Sequence, residues 1–532
     1  DGVCVSVIIN GSMHLNTFTY GGWQMFHFSI GNVVTNKIPY HQVLVVTRQI
    51  QMRQIVHCPN INHRLALFYI FATLMTLINS ISGIRGTIGG VTGTNLTPLD
   101  AVRFASAYGA WLLSQHSKAC VVVGRDARIS GPMLQSLVQQ TLVGLGIDVI
   151  DVGLSTTPTV EMEVVRQKAQ GGIILTASHN PKAWNALKLL NASGEFLDAE
   201  AGKTITQISQ QLDQIEFAHV DSLGKINKEP LALHHHIEAV LALPLVQTEQ
   251  IRSNSFKVVV DAVNSSGGVA VPKLLEALGA KVVPIHCEPS GDFQHNPEPL
   301  AQHLTDLSEA VKTHQADLGI AVDPDVDRLV FMDENGLLFG EEYTLVACAD
   351  YVLSKNPGNT VSNLSSTRAL AEITVIHGGE YQASAVGEAH VVAAMKNTQA
   401  VIGGEGNGGV IYPELHYGRD ALVGIALFLS LLSERSCAVS ALRESYPDWV
   451  MRKDKLPLDA SQDVDGLLRA MASHFANEKV TTIDGVKVDF NHGWVHLRKS
   501  NTEPIIRIYA EAKSEAELDD LIAEVKKILA SF

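Results

Sequence analysis

Several features that would assign this 532-residue chain to a specialised class are scarce or absent. Its six cysteines lie far apart with no paired spacing, which excludes a disulfide framework or a cysteine-based zinc site and fits a reducing cytoplasm. Positive charge is in deficit, since the formal net charge is −15, and this argues against general binding of nucleic acid or anionic membranes. The mostly apolar stretch at residues 65–78 is too short for a membrane span.

What the sequence does contain is typical of a large globular protein. Hydrophobic residues make up 46% of the chain and charged residues 18%. A chain of this length is too long for one hydrophobic core, so three or four domains are expected.

The first 74 residues differ in composition from the rest. They hold one acidic and four basic residues, so their net charge is +3 and that of the remainder is −18. They show no clear helical or strand period and no secretory signal pattern. Because Met75 begins a run typical of a natural start, we interpret residues 1–74 as an upstream extension outside the fold, with a partner-binding segment as the alternative. A chain beginning at Met75 should fold and stay active, and loss of either would contradict this interpretation.

From residue 75 onward, three stretches repeat one order of predicted elements: an apolar strand, a polar or glycine-rich loop, a helix and a later strand. The first strands are Cys120–Val123, Lys257–Val260 and Asn359–Ser362. The helices are Pro132–Leu145, Val271–Leu278 and Thr367–Ile376. The later strands are Asp148–Val152, Lys281–Ile285 and Ala400–Ile402. This alternation predicts three related α/β domains with mixed, largely parallel sheets.

The end of the chain has a different pattern. Three neighbouring strands are predicted at Lys487–Phe490, Trp494–Leu497 and Arg507–Ala510. Ser514 and Glu517 then form a capping-box pattern at the start of a helix. Six apolar residues follow at helical spacing: Leu518, Leu521, Ile522, Val525, Ile528 and Leu529. Strands followed by a helix predict a smaller α+β domain.

The most informative motif is Thr-Ala-Ser-His-Asn-Pro at residues 176–181, with Lys188 beyond it. It follows the apolar run Gly172–Leu175, which is typical of a short buried strand. Loops at the carboxyl ends of such strands carry reactive groups, so Ser178 is expected to be exposed and free to react. His179 and Lys188 beside it are suited to holding or moving a phosphate.

A second motif places carboxylates after another predicted strand, Leu318–Val322. Its three alternating aspartates are Asp323, Asp325 and Asp327. In a loop stiffened by Pro324 they can converge on one hard cation, and oxygen ligands favour Mg²⁺. An acidic turn is the alternative, but the preceding strand and the following Arg328 favour a metal loop. The residues that define an EF-hand are missing.

Two further loops are suited to polar ligands, although each alone is a weak signal. Residues 403–409 read Gly-Gly-Glu-Gly-Asn-Gly-Gly, and Glu405 and Asn407 are suited to pairs of sugar hydroxyls. Residues 498–504, with Arg507 beyond, offer arginines, hydroxyls and backbone amides for a phosphate. An ordinary glycine turn and a solvated basic turn stay open as alternatives.

Together these motifs resemble the α-D-phosphohexomutase superfamily, which contains phosphoglucomutase, phosphomannomutase and phosphoglucosamine mutase. The resemblance covers residues 75–532 in order, and the serine and triple-aspartate motifs are highly specific in combination. It implies three α/β domains and a smaller α+β C-terminal domain around a central cleft. The implied domains are a phosphoserine domain at 75–230, a metal-binding domain at 231–337, a sugar-binding domain at 338–445 and a phosphate-binding domain at 446–532.

The resemblance also implies the site residues. Ser178 would carry the phosphate. The ligands of Mg²⁺ would be Ser178, Asp323, Asp325 and Asp327. The groups beside the reacting serine would be Arg85, His179 and Lys188. The substrate would be bound by Arg328, Glu405, Asn407, Arg498, Ser500, Asn501, Thr502 and Arg507.

The implied reaction moves phosphate between the 6- and 1-positions of a hexose phosphate, through a phosphoserine and a sugar bisphosphate that also serves as activator. The expected partner is the hexose phosphate, with no nucleic acid and no membrane, and the expected protein is a cytoplasmic monomer or homodimer. Many family members have a histidine four positions after the sugar-loop glutamate, where this chain has Gly409. The general base is therefore assigned to Lys188, with His179 and His390 as alternatives.

The common metal loop of the family has glycine where this chain has Pro324 and Val326. With the glycine-rich loop, this resembles the archaeal-type phosphoglucosamine mutase branch, so conversion of glucosamine 6-phosphate to glucosamine 1-phosphate is predicted. Phosphomannomutase or phosphoglucomutase activity, a Mg²⁺-dependent sugar phosphatase and a silent sugar-phosphate-binding protein are the alternatives. The distal phosphate clamp favours a mutase, because a phosphatase needs no reorientation of its substrate.

Overall fold

A computed structural model gives the fold in two units, residues 1–75 and 76–532. It describes residues 76–80, 83–458, 463–499 and 505–531, and the backbone of five strands between residues 5 and 39. Those strands are β1 (Val5–Ile9), β2 (Met13–Tyr20), β3 (Trp23–Ile30), β4 (Val33–Val34) and β5 (Ile38–Pro39). They form an antiparallel sheet in the order β1-β2-β3-β4, with β5 also paired to β3. These strands were not predicted from the sequence.

The first domain of the second unit contains a seven-stranded mixed sheet. Its strands are β6 (Ile78–Ser80), β7 (Gly83–Thr87), β8 (Cys120–Arg125), β9 (Asp148–Leu154), β10 (Gly171–Leu175), β11 (Trp184–Leu190) and β12 (Ile226–Lys228). Its helices are α1 (Pro98–Gln115), α2 (Gly131–Gly144), α3 (Thr157–Arg166) and α4 (Ala199–Ile208). The sheet order is β12-β9-β8-β10-β11-β7-β6, and the first four of these strands run parallel.

The second domain has a four-stranded sheet in the order β14-β13-β15-β16. Its strands are β13 (Lys257–Asp261), β14 (Lys281–Ile285), β15 (Leu318–Val322) and β16 (Leu329–Met332). Its helices are α5 (Ala232–Leu241), α6 (Thr248–Asn254), α7 (Gly267–Ala277) and α8 (Thr305–His314).

The third domain repeats that arrangement in the order β18-β17-β19-β20. Its strands are β17 (Thr360–Asn363), β18 (Tyr381–Ser384), β19 (Ile402–Glu405) and β20 (Gly409–Ile411). Its helices are α9 (Glu341–Lys355), α10 (Ala369–Ile376), α11 (Glu388–Thr398), α12 (Ala421–Arg435) and α13 (Val439–Glu444).

One strand pattern recurs in all three domains. The sets β9-β8-β10-β11, β14-β13-β15-β16 and β18-β17-β19-β20 each have two parallel pairings followed by one antiparallel pairing. The antiparallel pair is a hairpin in each case, and its turn carries one of the polar motifs. The predicted fold class of three related α/β domains with mixed, largely parallel sheets is therefore confirmed.

The glycine-rich motif is a tighter structure than the predicted loop. Its first three residues belong to β19 and its last to β20, so the turn itself is only residues 406–408. The strand predicted at Ala400–Ile402 accordingly lies two residues further along. A Cβ atom on Gly404 would lie 1.9 Å from the carbonyl oxygen of Gly409, which explains why glycine is needed inside this hairpin.

The C-terminal domain is an antiparallel sheet covered by two helices. Its strands are β21 (Val450–Pro457), β22 (Lys479–Thr481), β23 (Val486–Phe490), β24 (Gly493–Lys499) and β25 (Ile505–Ala512), in the order β21-β25-β24-β23-β22. Its helices are α14 (Val464–His474) and α15 (Glu515–Leu529). Ser514 caps α15 by accepting the amide of Glu517, and the predicted apolar face of α15 packs into the core. The smaller α+β domain is thus confirmed. Within the described residues, no helix combines the length and apolar character needed to cross a bilayer.

Lys487 is an unfavourable element of this domain. Its side chain is only 8% exposed, and the nearest carboxylate, on Asp489, is 3.9 Å away. Burial lowers the pKa of Lys487 to about 8, so the unfolded chain binds more protons than the folded chain between about pH 8 and 10.5. The contribution of Lys487 to the free energy of unfolding therefore rises with pH between about pH 8 and 10.5.

Replacing Lys487 with methionine should raise the free energy of unfolding at pH 7 by about 1–3 kcal/mol. Urea denaturation of the wild type, Lys487→Met and the exposed-site control Lys479→Met measures this. The gain should shrink as pH approaches 10. A destabilised Lys487→Met, or an equal gain from the control, would contradict the expected cost of burial.

Candidate active site

Ser178 lies in the hairpin turn between β10 and β11, after a strand whose five residues are all buried. Its φ is +48°, in the left-handed region, and its amide donates to Thr176 Oγ at 3.0 Å. Its hydroxyl donates to Asp323 Oδ2 at 2.6 Å and lies 3.3 Å from His179 Nδ1. Ser178 is only 8% exposed, so the exposed position predicted from the sequence was wrong. The reason is that the aspartate hairpin of the second domain contacts the serine directly.

Arg128 supports this turn and was missed in the sequence. It is fully buried, pairs with Asp126 at 2.9 Å, and Asp126 also accepts from Thr176 Oγ at 2.7 Å. Its guanidinium donates to four carbonyl oxygens of the serine turn: those of Ser178, Asn180, Pro181 and Trp184. A single arginine side chain therefore supports the backbone around Ser178. The only sequence signal was a charged loop at the end of a strand.

The three aspartates occupy the equivalent turn, between β15 and β16, and all are fully buried. One oxygen from each lies within 4.8 Å of the others. Asp323 Oδ1 accepts the amides of Asp327 and Arg328 at 3.2 Å each. Val326 has a φ of +64°, a conformation that favours glycine, so its β-branched side chain puts backbone strain into the turn.

The aspartate turn fits a hard cation. Burial raises the pKa of Asp323 well above its ordinary value, and the charges of Asp327 and Asp325 raise it further. Among the described residues, Asp325 Oδ1 and Asp327 Oδ1 are buried without a hydrogen-bond partner. Buried carboxylate oxygens left unpaired are costly, and oxygen-only ligands suit Mg²⁺. The donor set therefore matches the predicted metal.

Lys188 lies on β11 and brings positive charge to the aspartates. Its Nζ donates to Asp325 Oδ2 at 2.6 Å and lies 3.3 Å from Asp327 Oδ2. Burial alone would lower the pKa of Lys188, but Asp325 and Asp327 raise it above its ordinary value. Arg85 lies on the neighbouring β7, where it pairs in register with Ala186 of β11. Burial, followed by the charge of Arg328, lowers the pKa of Arg85.

The other two base candidates differ in position. His179 is beside Ser178 Oγ, and burial together with the charge of Arg328 lowers its pKa well below the ordinary value. His390 lies on an exposed face of α11. Of the three candidates, Lys188 and His179 are the ones that the structure brings to the serine and the aspartates.

Arg419 connects the aspartate turn to the glycine-rich hairpin, and it was missed in the sequence, where the only signal was a charged pair before α12. Its guanidinium donates to Asp327 Oδ2 at 2.7 Å, to Glu405 Oε2 at 2.7 Å and to Glu388 Oε2 at 2.9 Å. Burial raises the pKa of Glu388 to about 7, although Arg419 opposes that rise. Arg419 therefore neutralises carboxylates from both the second and third domains.

The space beside Gly409 is filled by Arg419. A Cβ atom on Gly409 would lie 2.3 Å from Arg419 Cδ, so any side chain there would displace the arginine. In the same hairpin, Asn407 Oδ1 accepts the amide of Gly409 at 3.2 Å. Glu405 also accepts from the Asn363 amide group at 2.8 Å. The sugar loop thus has a fixed glutamate and a partly exposed asparagine.

The predicted phosphate loop, residues 498–504, starts at the end of β24, and β25 begins at Ile505. Arg498 and Arg507 are paired in register across the two strands, and Lys455 of β21 pairs with Arg507 on its other side. Three cations therefore stand in a row at this end of the sheet, with Asp484 at 2.9 Å from Arg498 as a counter-ion. The predicted Ser500, Asn501 and Thr502 lie outside the described residues.

Comparison with known proteins identifies the family. Phosphoglucomutase/phosphomannomutase α/β/α domains I, II and III match residues 78–216, 234–336 and 340–449, and the C-terminal domain of that family matches 450–528. A phosphoglucomutase/phosphomannomutase of Thermococcus kodakarensis is 35% identical over 82% of this chain and 96% of its own. A phosphoglucosamine/phosphogalactosamine mutase of Sulfurisphaera tokodaii is 31% identical over 82% of this chain and 97% of its own.

A solved structure agrees with these similarities. The phosphoglucomutase/phosphomannomutase family protein of Burkholderia thailandensis has a TM-score of 0.73 and 27% identity, over 86% of this chain and 97% of its own. The chain belongs to the phosphoglucomutase/phosphomannomutase family. It is accordingly an isomerase of the phosphohexomutase class.

Proposed function

We propose that the chain interconverts the 6- and 1-phosphates of a hexosamine through a phosphoserine at Ser178. The observation that supports this most directly is the contact between Ser178 Oγ and Asp323 Oδ2 at 2.6 Å, which joins the serine turn to the aspartate turn. A serine beside a cluster of carboxylates and cations is suited to accept a phosphate and to release it again. The family assignment gives the reaction class.

In the proposed reaction the phosphate on Ser178 passes to the free hydroxyl of a sugar monophosphate. The P–O bond to Ser178 breaks as the P–O bond to the sugar forms, and the hydroxyl proton goes to a base of the site. The resulting bisphosphate turns over and returns its other phosphate to Ser178. A sugar bisphosphate added from outside would therefore act as activator.

The cations around the serine stabilise this transfer. Lys188 and Arg85 lie on adjacent strands and supply positive charge where the phosphoryl group carries negative charge. Asp325 and Asp327 raise the pKa of Lys188 and keep it protonated, so Lys188 can accept the sugar proton only after losing one of its own. The lowered pKa of His179, in contrast, leaves it neutral and able to accept the proton directly. The pH dependence of kcat in Lys188→Gln and His179→Gln distinguishes these two candidates. Only the variant that lacks the base should lose the part of the pH profile in which kcat rises as the base loses its proton.

Asp323, Asp325, Asp327 and Ser178 would hold the Mg²⁺ ion. When bound, the ion would neutralise charge on the phosphorylated serine. The chain's own contribution is to bury the three carboxylates and to fix Asp323 through the amides of Asp327 and Arg328.

Asp325→Asn removes one ligand charge with almost no change of shape. We expect the Mg²⁺ concentration for half-maximal activity to rise at least about tenfold. Titration of activity with Mg²⁺ measures this, with the exposed-site variant Asp317→Asn as the matched control. An unchanged Mg²⁺ requirement in Asp325→Asn would count against this turn as the metal site.

The C-terminal cations supply the second phosphate site of the proposal. Arg498 and Arg507 would hold the phosphate that is not reacting, together with the loop that joins their strands. A fixed distal phosphate lets the sugar present either end to Ser178 after it turns over. Opening and closing of the C-terminal domain between the two half-reactions would allow this turnover.

The proposed sugar is glucosamine phosphate. Several similar proteins carry the name phosphoglucosamine mutase, while others are named phosphoglucomutase/phosphomannomutase. The names of these similar proteins are what favours the amino sugar, because Glu405 and Asn407 would contact hydroxyls that the three sugars share. We place the reaction in the cytoplasm, in agreement with free thiols at all four cysteines that the structure describes.

The sugar is tested by comparing kcat/KM for glucosamine, glucose and mannose 1-phosphates, each with its bisphosphate as activator. We expect glucosamine 1-phosphate to give the highest value. A higher kcat/KM for glucose or mannose 1-phosphate in the wild type would overturn the hexosamine assignment but leave the mutase assignment intact.

A further inference from the structure

A cluster of one aspartate and two histidines lies in the second domain, apart from the aspartate turn. Asp261 ends β13 and is 1% exposed, His286 follows the neighbouring β14, and His295 lies nine residues further along the chain. His286 Nδ1 is 3.0 Å from Asp261 Oδ2, and His295 Nε2 is 3.1 Å from both oxygens of Asp261. The two imidazole rings meet edge to face with centroids 5.5 Å apart.

The outer nitrogen of each ring faces an oxygen atom. His295 Nδ1 lies 2.8 Å from the carbonyl oxygen of Asn296, so it must donate its proton there. His286 Nε2 faces Asp306 Oδ2 at 3.3 Å. Each ring therefore points one nitrogen at an outer oxygen acceptor and the other at Asp261. A histidine whose far N–H is fixed by a carboxylate or a backbone carbonyl is the usual arrangement of a metal ligand.

The protons on the two ring nitrogens that face Asp261 decide how these three side chains can lie so close together. A neutral ring that donates outward has a bare lone pair on its inner nitrogen, and two such lone pairs facing a carboxylate repel it. Asp261 can be satisfied by a proton on the inner nitrogen of each ring, which for His286 requires only the Nδ1–H tautomer, or by a cation that lies between the three groups. Burial opposes charge on His295, but the contacts with Asp261 raise the pKa of both His286 and His295 above the ordinary value. A bound cation would take the place of those protons, because one ligand atom from each of the three residues lies within 4.8 Å of the others.

We propose that Asp261, His286 and His295 form a second metal site, suited to Zn²⁺ or a similar transition-metal ion. Two imidazoles and a carboxylate are ligands that Zn²⁺ prefers, with water as the fourth. In a tetrahedral zinc site the ligand atoms are about 3.3 Å apart, close to the separations in this cluster. This site goes beyond the proposed phosphate transfer and does not depend on it.

Cys287, next to His286, is not part of the site. Its thiol donates to the carbonyl oxygen of Val260 at 3.5 Å. Burial raises the pKa of Cys287 to about 12, so it remains a thiol at neutral pH. It therefore offers a matched control next to the proposed ligands.

The site would fix a loop that touches the serine support. Both ends of residues 286–295 are tied to Asp261, and the loop between them reaches the first domain. Asp292 pairs with Lys182 at 2.8 Å, and the ring of Phe293 lies 5.0 Å from the guanidinium of Arg128. Because Arg128 holds the backbone of the serine turn, metal at this site would stabilise the contact between the first two domains.

The test is a titration of the metal-free full-length chain with Co²⁺ and Zn²⁺ in excess Mg²⁺, which keeps the aspartate turn occupied. We expect the visible absorption bands of tetrahedral Co²⁺ with nitrogen and oxygen ligands, displaced by one equivalent of Zn²⁺. His286→Gln and His295→Gln should weaken Zn²⁺ binding by at least about tenfold. Cys287→Ser and the exposed-site variant His314→Gln should bind as the wild type does, as should Asp325→Asn.

Circular dichroism and the urea midpoint of each variant show whether it is folded. The Co²⁺ spectrum of the wild type tests the site even if a variant does not fold. Zn²⁺ bound by histidines elsewhere in the chain should be nearly the same in the wild type and in His314→Gln. Binding at the proposed site is therefore the difference in bound Zn²⁺ between these two proteins and the ligand variants His286→Gln and His295→Gln. The proposal is overturned if the wild type binds no more Zn²⁺ than His286→Gln and His295→Gln do. It is also overturned if Asp325→Asn abolishes Zn²⁺ binding, because the ion would then occupy the aspartate turn.

Discussion

Ser178→Ala should abolish mutase activity, with kcat falling by at least about 10⁴-fold. The substitution removes the atom that carries the phosphate, so no other group in the site can replace it. The turn itself should persist, because Arg128 holds it through backbone carbonyls and Thr176 through the amide of Ser178. Binding of hexose phosphate should therefore stay within a few-fold of the wild type, whereas Mg²⁺ binding should weaken because Ser178 is one of the four proposed ligands.

The measurement is steady-state activity together with intact-protein mass after incubation with sugar bisphosphate. The wild type should gain the mass of one phosphate and Ser178→Ala should not. Ser193→Ala, at an exposed turn after β11, is the matched control and should behave as the wild type. Activity of Ser178→Ala near the wild-type rate would show that the serine is not the phosphate carrier.

Arg419→Met should destabilise the fold as well as inactivate the enzyme. It leaves the carboxylates of Asp327, Glu388 and Glu405 without their shared cation, and all three are buried. Removing one partner of a buried ion pair costs about 3–5 kcal/mol, because the remaining charge is left unpaired in a poorly solvated site. We expect a loss of this size in the free energy of unfolding, and activity reduced at least as far as in Asp325→Asn.

Urea denaturation of Arg419→Met, Arg419→Lys and Arg435→Met measures separately the loss of the buried charge, the loss of the guanidinium hydrogen bonds and the removal of an exposed arginine. Arg419→Lys keeps the charge but has one nitrogen in place of three, so its stability should lie between the wild type and Arg419→Met. Arg435→Met removes an arginine that is 51% exposed at the end of α12 and should cost less than about 1 kcal/mol. Equal stability of Arg419→Met and the wild type would mean that Arg419 is not the link between the domains.

The positions of the reactive groups could be predicted because each follows a short, fully buried strand. Gly172–Leu175 and Leu318–Val322 are apolar runs bounded by polar motifs, and such runs place the next residues at the carboxyl edge of a sheet. The sequence therefore located Ser178 and the aspartates. It did not reveal that the returning strands β11, β16 and β20 make each motif the turn of an equivalent hairpin.

The supporting arginines could not be predicted, because their partners are distant in sequence. Arg128 reaches Ser178 across 50 residues, and Arg419 reaches Asp327 across 92. Neither arginine belongs to a motif, and each is one of many charged residues near a strand or helix end. The same limit explains the burial of Ser178, because the group that covers it comes from another domain.

The central claim is that the phosphate on Ser178 passes to the substrate. The most direct measurement is a single turnover: protein carrying a labelled phosphate is mixed with less than one equivalent of unlabelled hexose monophosphate in the presence of Mg²⁺. We predict that label leaves Ser178 and appears first in a sugar bisphosphate, then in the monophosphates. Label released directly as inorganic phosphate, or label that stays on Ser178 while product forms, would contradict the account.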